Sequence, residues 1–322
     1  MQKIIDAVPV VEIEKELTQE RLLCHTNRAS NEIYVVDAHN SPNVMREIGR
    51  LREITFRDAS GGTGEEYDID QFDTMDVPYK QLIVWNPDAR EIIGGYRFIL
   101  GENIRFNDDG QPMLAMSHLF HFSKTFLKDY LPYVLKLGRS FVTPEYQSSK
   151  MGAKSLFALD NLWDGIGALT VRYPQIKYFL GKVTIYPSYD VAGRDMILYF
   201  LKKYFRDRRH LVFPIVPFQI ETKLTTLQKI IPPIPMLDAY KKLNVELKNL
   251  GLKLPPLISS YVNLSSTMLY FGTVINVDFA NVVDTGIMVT VADIYDEKRR
   301  RHIESYIEDI KKRFGDKKLI ID

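Results

Sequence analysis

The chain has 322 residues, 45% of them hydrophobic and 26% charged, which is typical of a globular protein with a sizeable core. Its 42 basic residues nearly balance 41 acidic ones, so the net charge of +1 argues against a nucleic-acid-binding protein and makes any anion site local. The single cysteine, Cys24, excludes an internal disulfide, and the lack of an apolar stretch suited to a signal peptide or a membrane span predicts a cytoplasmic protein.

The first half of the chain predicts strands and helices in alternation. Ser41-Pro42 is a helix start, with serine as N-cap and proline at the first helical position, and Asn86-Pro87-Asp88 is a turn that joins two strands. The predicted elements are a strand over 32–37, a helix over 43–56, strands over 81–85, 91–100 and 113–122, a helix over 124–130 and a long buried strand over 133–143.

The second half contains a change in composition. Between about residues 206 and 257, prolines surround one predicted amphipathic helix over 238–250, and we interpret this segment as an insertion or lid. The other predicted elements are a helix from about 151, a strand over 176–185, a helix over 196–205, strands over 268–277 and 286–291 and a terminal helix over 303–314.

The most informative segment runs from Leu137 to Ala153, where a strand, a polar loop and a helix follow one another. The first N–H groups of a helix are unpaired and its dipole is positive there, so such a junction suits a phosphate. The loop resembles the acyl-carrier loop of the GNAT superfamily, Gln/Arg-x-x-Gly-x-Gly/Ala. Gln147 and Gly152 fit that pattern, whereas Lys150 replaces its first glycine. An ordinary strand-turn-helix junction is the alternative interpretation.

The surrounding sequence resembles two related groups of this superfamily, the acyl-homoserine-lactone synthases and, more closely, the N-acyltransferases that make ornithine and glycine lipids, some of which carry a hemolysin label. The resemblance spans about residues 28–293 and rests on Arg52-x-x-x-Phe56, Asp70-x-x-Asp73, Arg97, Leu137-Gly138-Arg139-Ser140-x-Val142-x-Pro144-x-Tyr146, Trp163-Asp164-Gly165-Ile166, Leu180-Gly181, Leu254-Pro255-Pro256-Leu257 and Asp278-Phe279. It departs at Lys136, where relatives often carry a carboxylate that serves as general base or orients one.

This resemblance implies the GNAT acyl-CoA N-acyltransferase fold, an α/β (α+β) class with a central mixed, mostly antiparallel sheet flanked by helices and a proline-rich helical insertion before the last strands. It implies one domain over 1–322, in which 206–257 is the insertion and 258–322 completes the fold. The implied activity is transfer of a (3-hydroxy)fatty acyl group to the α-amine of an amino acid of the glycine or ornithine type, in aminolipid synthesis. The donor is acyl carrier protein or acyl-CoA, and no permanently bound cofactor or metal is expected.

Two other functions stay open on the sequence. One is a signal synthase of the acyl-homoserine-lactone type, which needs an acceptor such as S-adenosylmethionine. The other is a catalytically silent module that binds acyl carriers, suggested by Lys136 and the altered loop. Basic clusters such as Lys202-Lys203 are either solvated or contact acyl carrier protein or the inner membrane peripherally.

Arg139 is the foremost candidate site residue, because an arginine within an apolar strand requires an anionic partner. That partner is either substrate or an internal acid such as Asp70 or Asp73. Together with Arg139, the resemblance implies a catalytic role for Ser140. Substrate binding is assigned to Arg52, Phe56, Asp70, Asp73 and Arg97, and acyl-donor binding to Phe141, Val142, Thr143, Gln147, Lys150, Gly152 and Ala153.

The general base and the general acid have several candidates. His118 and His121 titrate near neutrality and either can be the base, although a structural role is the alternative. Three residues apart on a predicted strand, they face opposite sides and do not form one metal site. Tyr186 and Tyr189 lie where GNAT relatives keep a tyrosine that protonates the departing thiolate.

Overall fold

The computed structural model describes residues 1–147 and 153–314, in two compact units. The first unit comprises Met1–Asn103, Tyr133–Lys177 and Ile294–Asp322, and the second comprises Ile104–Pro132 and Tyr178–Asp293. Each unit combines helices with an antiparallel sheet, which confirms the predicted fold class. The prediction of one domain with a lid stays a prediction.

The regular elements are numbered in chain order. The strands are β1 (Leu22–His25), β2 (Glu32–Val36), β3 (Lys80–Asn86), β4 (Glu91–Leu100), β5 (Phe120–Phe122), β6 (Val134–Val142), β7 (Tyr178–Ile185), β8 (Val212–Pro214), β9 (Leu269–Asn276) and β10 (Val282–Thr290). The helices are α1 (Val10–Glu16), α2 (Pro42–Asp58), α3 (Gln71–Thr74), α4 (Lys124–Asp129), α5 (Pro144–Gln147), α6 (Ala153–Arg172), α7 (Val191–Phe205), α8 (Leu224–Ile230), α9 (Met236–Asn249), α10 (Pro256–Val262), α11 (Asp296–Arg299) and α12 (Ser305–Phe314).

The first unit is built on an antiparallel sheet with the strand order β1-β2-β3-β4-β6. Strands β3 and β4 are buried over nearly their whole length, and helix α6 packs against both of them. Gly165 allows this close packing, because a Cβ atom there would lie 2.7 Å from Leu82 Cδ1. Helix α2 packs against β6. These contacts place one face of α2 beside the segment that contains Arg139.

The second unit contains an antiparallel sheet with the order β7-β10-β9 and a separate antiparallel pair formed by β5 and β8. Asp190 is the N-cap of helix α7, and its side chain accepts a hydrogen bond from Gly193 N–H at 3.0 Å. It packs against β9 and α9, and its buried side includes Phe200 and Leu201. The fixed C-terminal end of α7 therefore presents its basic residues beside β9.

The predicted strand over 113–122 is largely wrong, since only Phe120–Phe122 is a strand. The residues before it turn, with Ser117 N–H donating to Leu114 O and Phe120 N–H donating to Met116 O. Leu114, Met116 and Leu119 are nevertheless buried. The apolar alternation came from side chains packed around a turn, not from the two-residue period of a strand.

The proline-rich segment 206–257 lies in the second unit and contains more structure than the single predicted helix. Helix α9 fits the prediction, but β8, α8 and the start of α10 were missed. Leu227, Ile231 and Leu243 are fully buried there. None of the helices within the described ranges is long and apolar enough to cross a membrane.

Candidate active site

A β-bulge interrupts β6 at Arg139 and Ser140. Phe141 pairs with Gly95 and Gly138 pairs with Arg97, so two residues of β6 oppose the single residue Tyr96 of β4. Arg139 has a φ of +45°, in the left-handed region that side-chain-bearing residues seldom occupy. The bulge breaks the regular ladder and re-aims both side chains. Such local strain is common at functional sites.

A buried ion network lies beside the bulge, and Arg52 on α2 is its most deeply buried cation. The side chain is completely buried, with Nη1 3.1 Å from Asp73 Oδ2 and Nη2 donating to Gln81 Oε1. Gln81 Nε2 in turn donates to Asp73 Oδ1 at 2.9 Å. Phe56 follows Arg52 by one helical turn and is buried on the same side of α2. Arg52 thus joins α2 to β3 and to the segment before it.

Arg97 on β4 is the second cation of the network. Its Nη1 donates to both carboxylate oxygens of Asp70 at 2.8 Å and to Asp73 Oδ2 at 3.1 Å. The guanidinium also lies over the ring of Tyr79, 5.1 Å from its centre. Two carboxylates and an aromatic face therefore hold Arg97 in one position.

Arg139 is the third cation and lies at the accessible edge of the network. Its Nε is 3.0 Å from Asp68 Oδ2, and its Nη2 is 3.6 Å from Asp70 Oδ2. The side chains of Arg139 and Asp70 are 18% and 28% exposed, whereas those of Asp68 and Asp73 are 1% and 0% exposed. Arg139 and Asp70 form the part of the network that a solute can reach.

The Asp70-x-x-Asp73 pattern has a local structural cause, because it is the capping box of α3. Asp70 Oδ1 accepts from Phe72 N–H at 2.9 Å, and Asp73 Oδ2 accepts from Asp70 N–H at 3.2 Å. These bonds hold both carboxylates by contacts that lie within residues 70–73 and do not involve the arginines. A short aspartate-capped helix thereby becomes a rigid holder for Arg52 and Arg97.

The two buried carboxylates differ in acidity. Burial raises the pKa of Asp68 above its usual value, although Arg139 and Arg52 act in the opposite direction. Burial also opposes ionisation of Asp73, but the charges of Arg52 and Arg97 outweigh it and lower the pKa of Asp73 to about 2. Asp73 is therefore the permanent anion of the network, and Asp68 the carboxylate more easily protonated.

Lys136 lies on the same strand as Arg139 and is 2% exposed. Its Nζ donates to Leu137 O at 2.6 Å and lies on the side of Gly138 that also faces the Arg97 side chain. With Lys136, the described part of this cluster contains four cationic side chains and the three carboxylates of Asp68, Asp70 and Asp73.

The segment predicted to bind the acyl donor begins at the end of β6. Phe141 is buried, Val142 is partly exposed, and Thr143 N–H donates to Ile93 O at 2.9 Å. Gln147 Nε2 donates to Val142 O at 2.6 Å. Ala153 is the first residue of α6, while Lys150 and Gly152 lie outside the described residues. The Thr143 N–H is thus already engaged by the Ile93 carbonyl.

Tyr146 fixes the start of this loop. Its hydroxyl donates to Glu91 Oε1 at 2.5 Å and accepts from Asn86 Nδ2 at 3.2 Å. Burial and the bond to Glu91 raise the pKa of Tyr146 to about 12, so the phenol stays protonated. The hydroxyl ties helix α5 to the β3–β4 hairpin.

The two predicted histidines lie in the second unit and differ in setting. His118 is on the turn before β5, with a side chain that is 45% exposed and Nε2 3.7 Å from Asp278 Oδ2. Burial lowers the pKa of His118, and the positive charge of Lys182 lowers it further, against the opposing influence of Asp278, Asn276 and Asp284. His121 is exposed on β5 and its ring packs on Phe213. Of the two, His118 has the environment of a neutral imidazole.

The two predicted tyrosines also lie in the second unit. Tyr189 donates its hydroxyl to Lys253 O at 2.9 Å, and burial together with Asp190 raises its pKa to about 12. Tyr186 lies just after β7 and is partly exposed. The bond to Lys253 gives Tyr189 a structural role.

The structure brings five of the predicted residues, Arg52, Asp70, Asp73, Arg97 and Arg139, into one network. Sequence reasoning missed Asp68 and Gln81, which complete it. Gln81 directly precedes the apolar run of β3 and pairs with Arg97, so its polar character looks like that of an ordinary strand end and its burial shows only in the structure. Among residues 1–147 and 153–314, no group of His, Cys, Asp and Glu side chains is arranged to hold a metal ion.

Comparison with known proteins finds two similar bacterial proteins. The chain is 56% identical to a protein named glycine N(alpha)-acyltransferase from Bacteroides thetaiotaomicron, over 96% of this chain and 91% of the relative. It is 53% identical to a protein of the same name from Phocaeicola vulgatus, over 96% of this chain and 94% of the relative. Residues 51–156 match the family described as acetyltransferase (GNAT) domain.

Two solved structures are more distantly similar. Both are of BjaI, described as a CoA-dependent acyl-homoserine lactone synthase. With SAM and isopentyl-CoA, it matches 90% of this chain and 92% of its own at a TM-score of 0.36 and 11% identity. With MTA, it matches 67% of this chain and 99% of its own at a TM-score of 0.28 and 13% identity.

Proposed function

Since this chain belongs to the GNAT family of N-acyltransferases that includes these two glycine N(alpha)-acyltransferases, we propose that its acceptor is the α-amine of glycine. Its being an acyltransferase confirms that prediction from the sequence and removes the silent binding module. The proposed donor is a long-chain, 3-hydroxylated fatty acyl thioester of acyl carrier protein or CoA. The proposed product is an acylated amino acid for aminolipid synthesis, made in the cytoplasm.

The observation that carries the proposal, beside the two relatives, is the accessible edge of the ion network. Glycine is a zwitterion, and Arg139 and Asp70 present opposite charges 3.6 Å apart at that edge. In the proposed complex, Arg139 binds the glycine carboxylate and Asp70 attracts the ammonium.

Chemistry at the amine requires a neutral nucleophile close to the thioester carbon and a donor for the developing oxyanion. We assign the backbone at the Arg139–Ser140 bulge to the oxyanion, because a bulge diverts its peptide groups from the ladder. The amine attacks the thioester carbon, the C–S bond breaks, and the amine's proton must leave. That proton ends on the departing thiolate, so the products are an amide and a thiol.

The experiment is acyl transfer by the purified chain, followed by mass spectrometry of the product. Palmitoyl-CoA and 3-hydroxypalmitoyl acyl carrier protein are supplied in separate reactions with glycine, ornithine or S-adenosylmethionine. We expect N-acylglycine to be the main product. N-acylornithine or an acylated S-adenosylmethionine product in its place would overturn the glycine assignment.

A matched pair of variants tests the role of Arg139. Arg139→Lys keeps the charge and loses the forked guanidinium, so we expect KM for glycine to rise about tenfold or more, the equivalent of one charge-assisted hydrogen bond. Arg50→Lys is the control, because Arg50 is also 18% exposed and is also ion-paired, with Glu47 at 2.6 Å. If both variants change KM equally, Arg139 does not bind glycine.

A further inference from the structure

A cavity of about 630 Å³ in the second unit contains none of the residues assigned above. It is lined by the end of α7, the loop that follows, the segment before α8 and part of β9. Its basic lining residues are Lys202, Lys203, Arg206, Arg208 and His210, and no carboxylate is among the described residues that line it. In a chain with a net charge of only +1, this is a strong local excess of positive charge.

The acidic residues nearest in sequence are engaged elsewhere. Asp207 is buried and accepts from Arg209 N–H at 2.9 Å and from Leu211 N–H. Glu221 pairs with Arg194 at 2.8 Å. The cations of the cavity therefore keep their charge available for an anion supplied from outside.

One of these cations is fixed within the wall. Lys203 Nζ donates to Ile231 O and Pro232 O at 2.8 and 2.7 Å. It also lies 5.5 Å from the ring centres of Tyr199 and Tyr204. By contrast, Lys202, Arg206, Arg208 and His210 are exposed. Exposed basic side chains in a cavity that tyrosines also line match a ligand that joins a phosphate to an apolar part.

Exposed aliphatic side chains occur at one lining residue of the cavity and in the segment that leads to the lining residue Phe218. Leu224 lines the cavity and is 53% exposed, while Ile215 and Val216 are 54% and 74% exposed. The segment 215–218, which includes Ile215 and Val216, is anchored at both ends. Ile215 N–H donates to Leu119 O, and Phe218 N–H donates to Thr273 O. These aliphatic side chains are thus held out to solvent by an ordered backbone.

We propose that this face docks on a membrane and that the cavity binds the phosphate of an anionic phospholipid headgroup. Basic residues attract the anionic leaflet, and short aliphatic side chains insert at the boundary between headgroups and acyl chains. A soluble phosphate ligand would contact the basic residues of the cavity but would leave the exposed aliphatic side chains without a contact. The inference does not rest on which amine accepts the acyl group.

The test is sedimentation of the full chain with vesicles of phosphatidylglycerol and phosphatidylcholine in equal parts, against vesicles of phosphatidylcholine alone. We expect binding only to the anionic vesicles, weakened by salt. The triple change Lys202→Gln, Arg206→Gln and Arg208→Gln should lower the partition coefficient about 100-fold, at about fivefold for each basic residue near an anionic leaflet.

One control variant and one further test variant keep the result specific. The triple change Lys241→Gln, Lys242→Gln and Lys248→Gln removes the same charge from α9 and should leave vesicle binding near that of the unchanged chain. Val216→Glu alters an exposed side chain without touching the core and should also abolish binding. Both cavity variants should keep the melting temperature and the acylation of glycine in solution.

Three results would overturn the proposal. These are equal binding to neutral vesicles, equal loss in the α9 control, and displacement of the protein from anionic vesicles by free CoA, which would assign the cavity to the acyl carrier. A chain that binds anionic vesicles as described but acylates no glycine would contradict the proposed function and leave the membrane site standing.

Discussion

Replacing Arg139 separates the conformation of its backbone from the charge of its side chain. Glycine and alanine both remove the guanidinium, but only glycine adopts a φ of +45° without steric cost. An L-residue in the left-handed region costs about 1–2 kcal/mol. We therefore expect Arg139→Gly to be more stable than Arg139→Ala by about 1 kcal/mol.

Both variants also lose the ion pair. Asp68 is 1% exposed and its Oδ2 lies 3.0 Å from Arg139 Nε, so either change leaves a buried carboxylate without this partner. Breaking a buried pair costs about 3–5 kcal/mol. Because Arg139 is partly exposed and Arg52 also acts on Asp68, we expect a loss of about 2–3 kcal/mol for Arg139→Ala.

The assay is urea unfolding followed by tryptophan fluorescence, which reports on the first unit because Trp85 and Trp163 both lie there. Adding Asp68→Asn to Arg139→Gly should recover most of the lost stability, since it removes the stranded charge. Equal free energies of unfolding for the alanine and glycine variants would refute the backbone strain. No recovery on adding Asp68→Asn would refute the ion-pair explanation.

Three further predictions concern pH and packing. Folding lowers the pKa of Asp73 from 3.8 to about 2, so the stability that this carboxylate contributes is complete above pH 3.8 and is lost as pH falls through 2. Urea unfolding at a series of pH values should show that Asp73→Asn loses about 2 kcal/mol less stability on acidification than the unchanged chain. Burial and the charge of Lys182 lower the pKa of His118, so an NMR titration of its ring should give a pKa below 6.5 that rises in Lys182→Gln. A Cβ at Gly94 would lie 2.5 Å from Phe141 O, so Gly94→Ala should lower stability by about 1–3 kcal/mol by calorimetry, whereas unchanged stability would show that β4 and β6 can separate there.

Much of the fold was readable from the sequence because long apolar strands and helix-capping residues carry local signals. The hairpin of β3 and β4, the strand β6 and the helix α6 follow such signals. Residues 113–119 did not, since burial around a turn imitates alternation. The additional helix α8 was hidden by its surrounding prolines.

The candidate site was predictable only in part. Arg139 and the Asp70-x-x-Asp73 pattern stood out because charged residues were placed in or beside apolar strands. Asp68 follows Glu65 and Glu66, an acidic run that indicates a solvated loop. Its burial depends on Arg139 and Arg52, which approach from other elements, so no local pattern reveals it.

The capping box of α3 has an evolutionary consequence. Asp73 Oδ2 accepts from the Asp70 N–H and also contacts Arg52 and Arg97. A longer glutamate at either position of the capping box would disturb the helix start and the arginine contacts together. Substitutions at Asp70 and Asp73 are therefore expected to be selected against. A descendant lineage that acquires a new acceptor must therefore vary the residues around the exposed edge of Arg139 and keep the box unchanged.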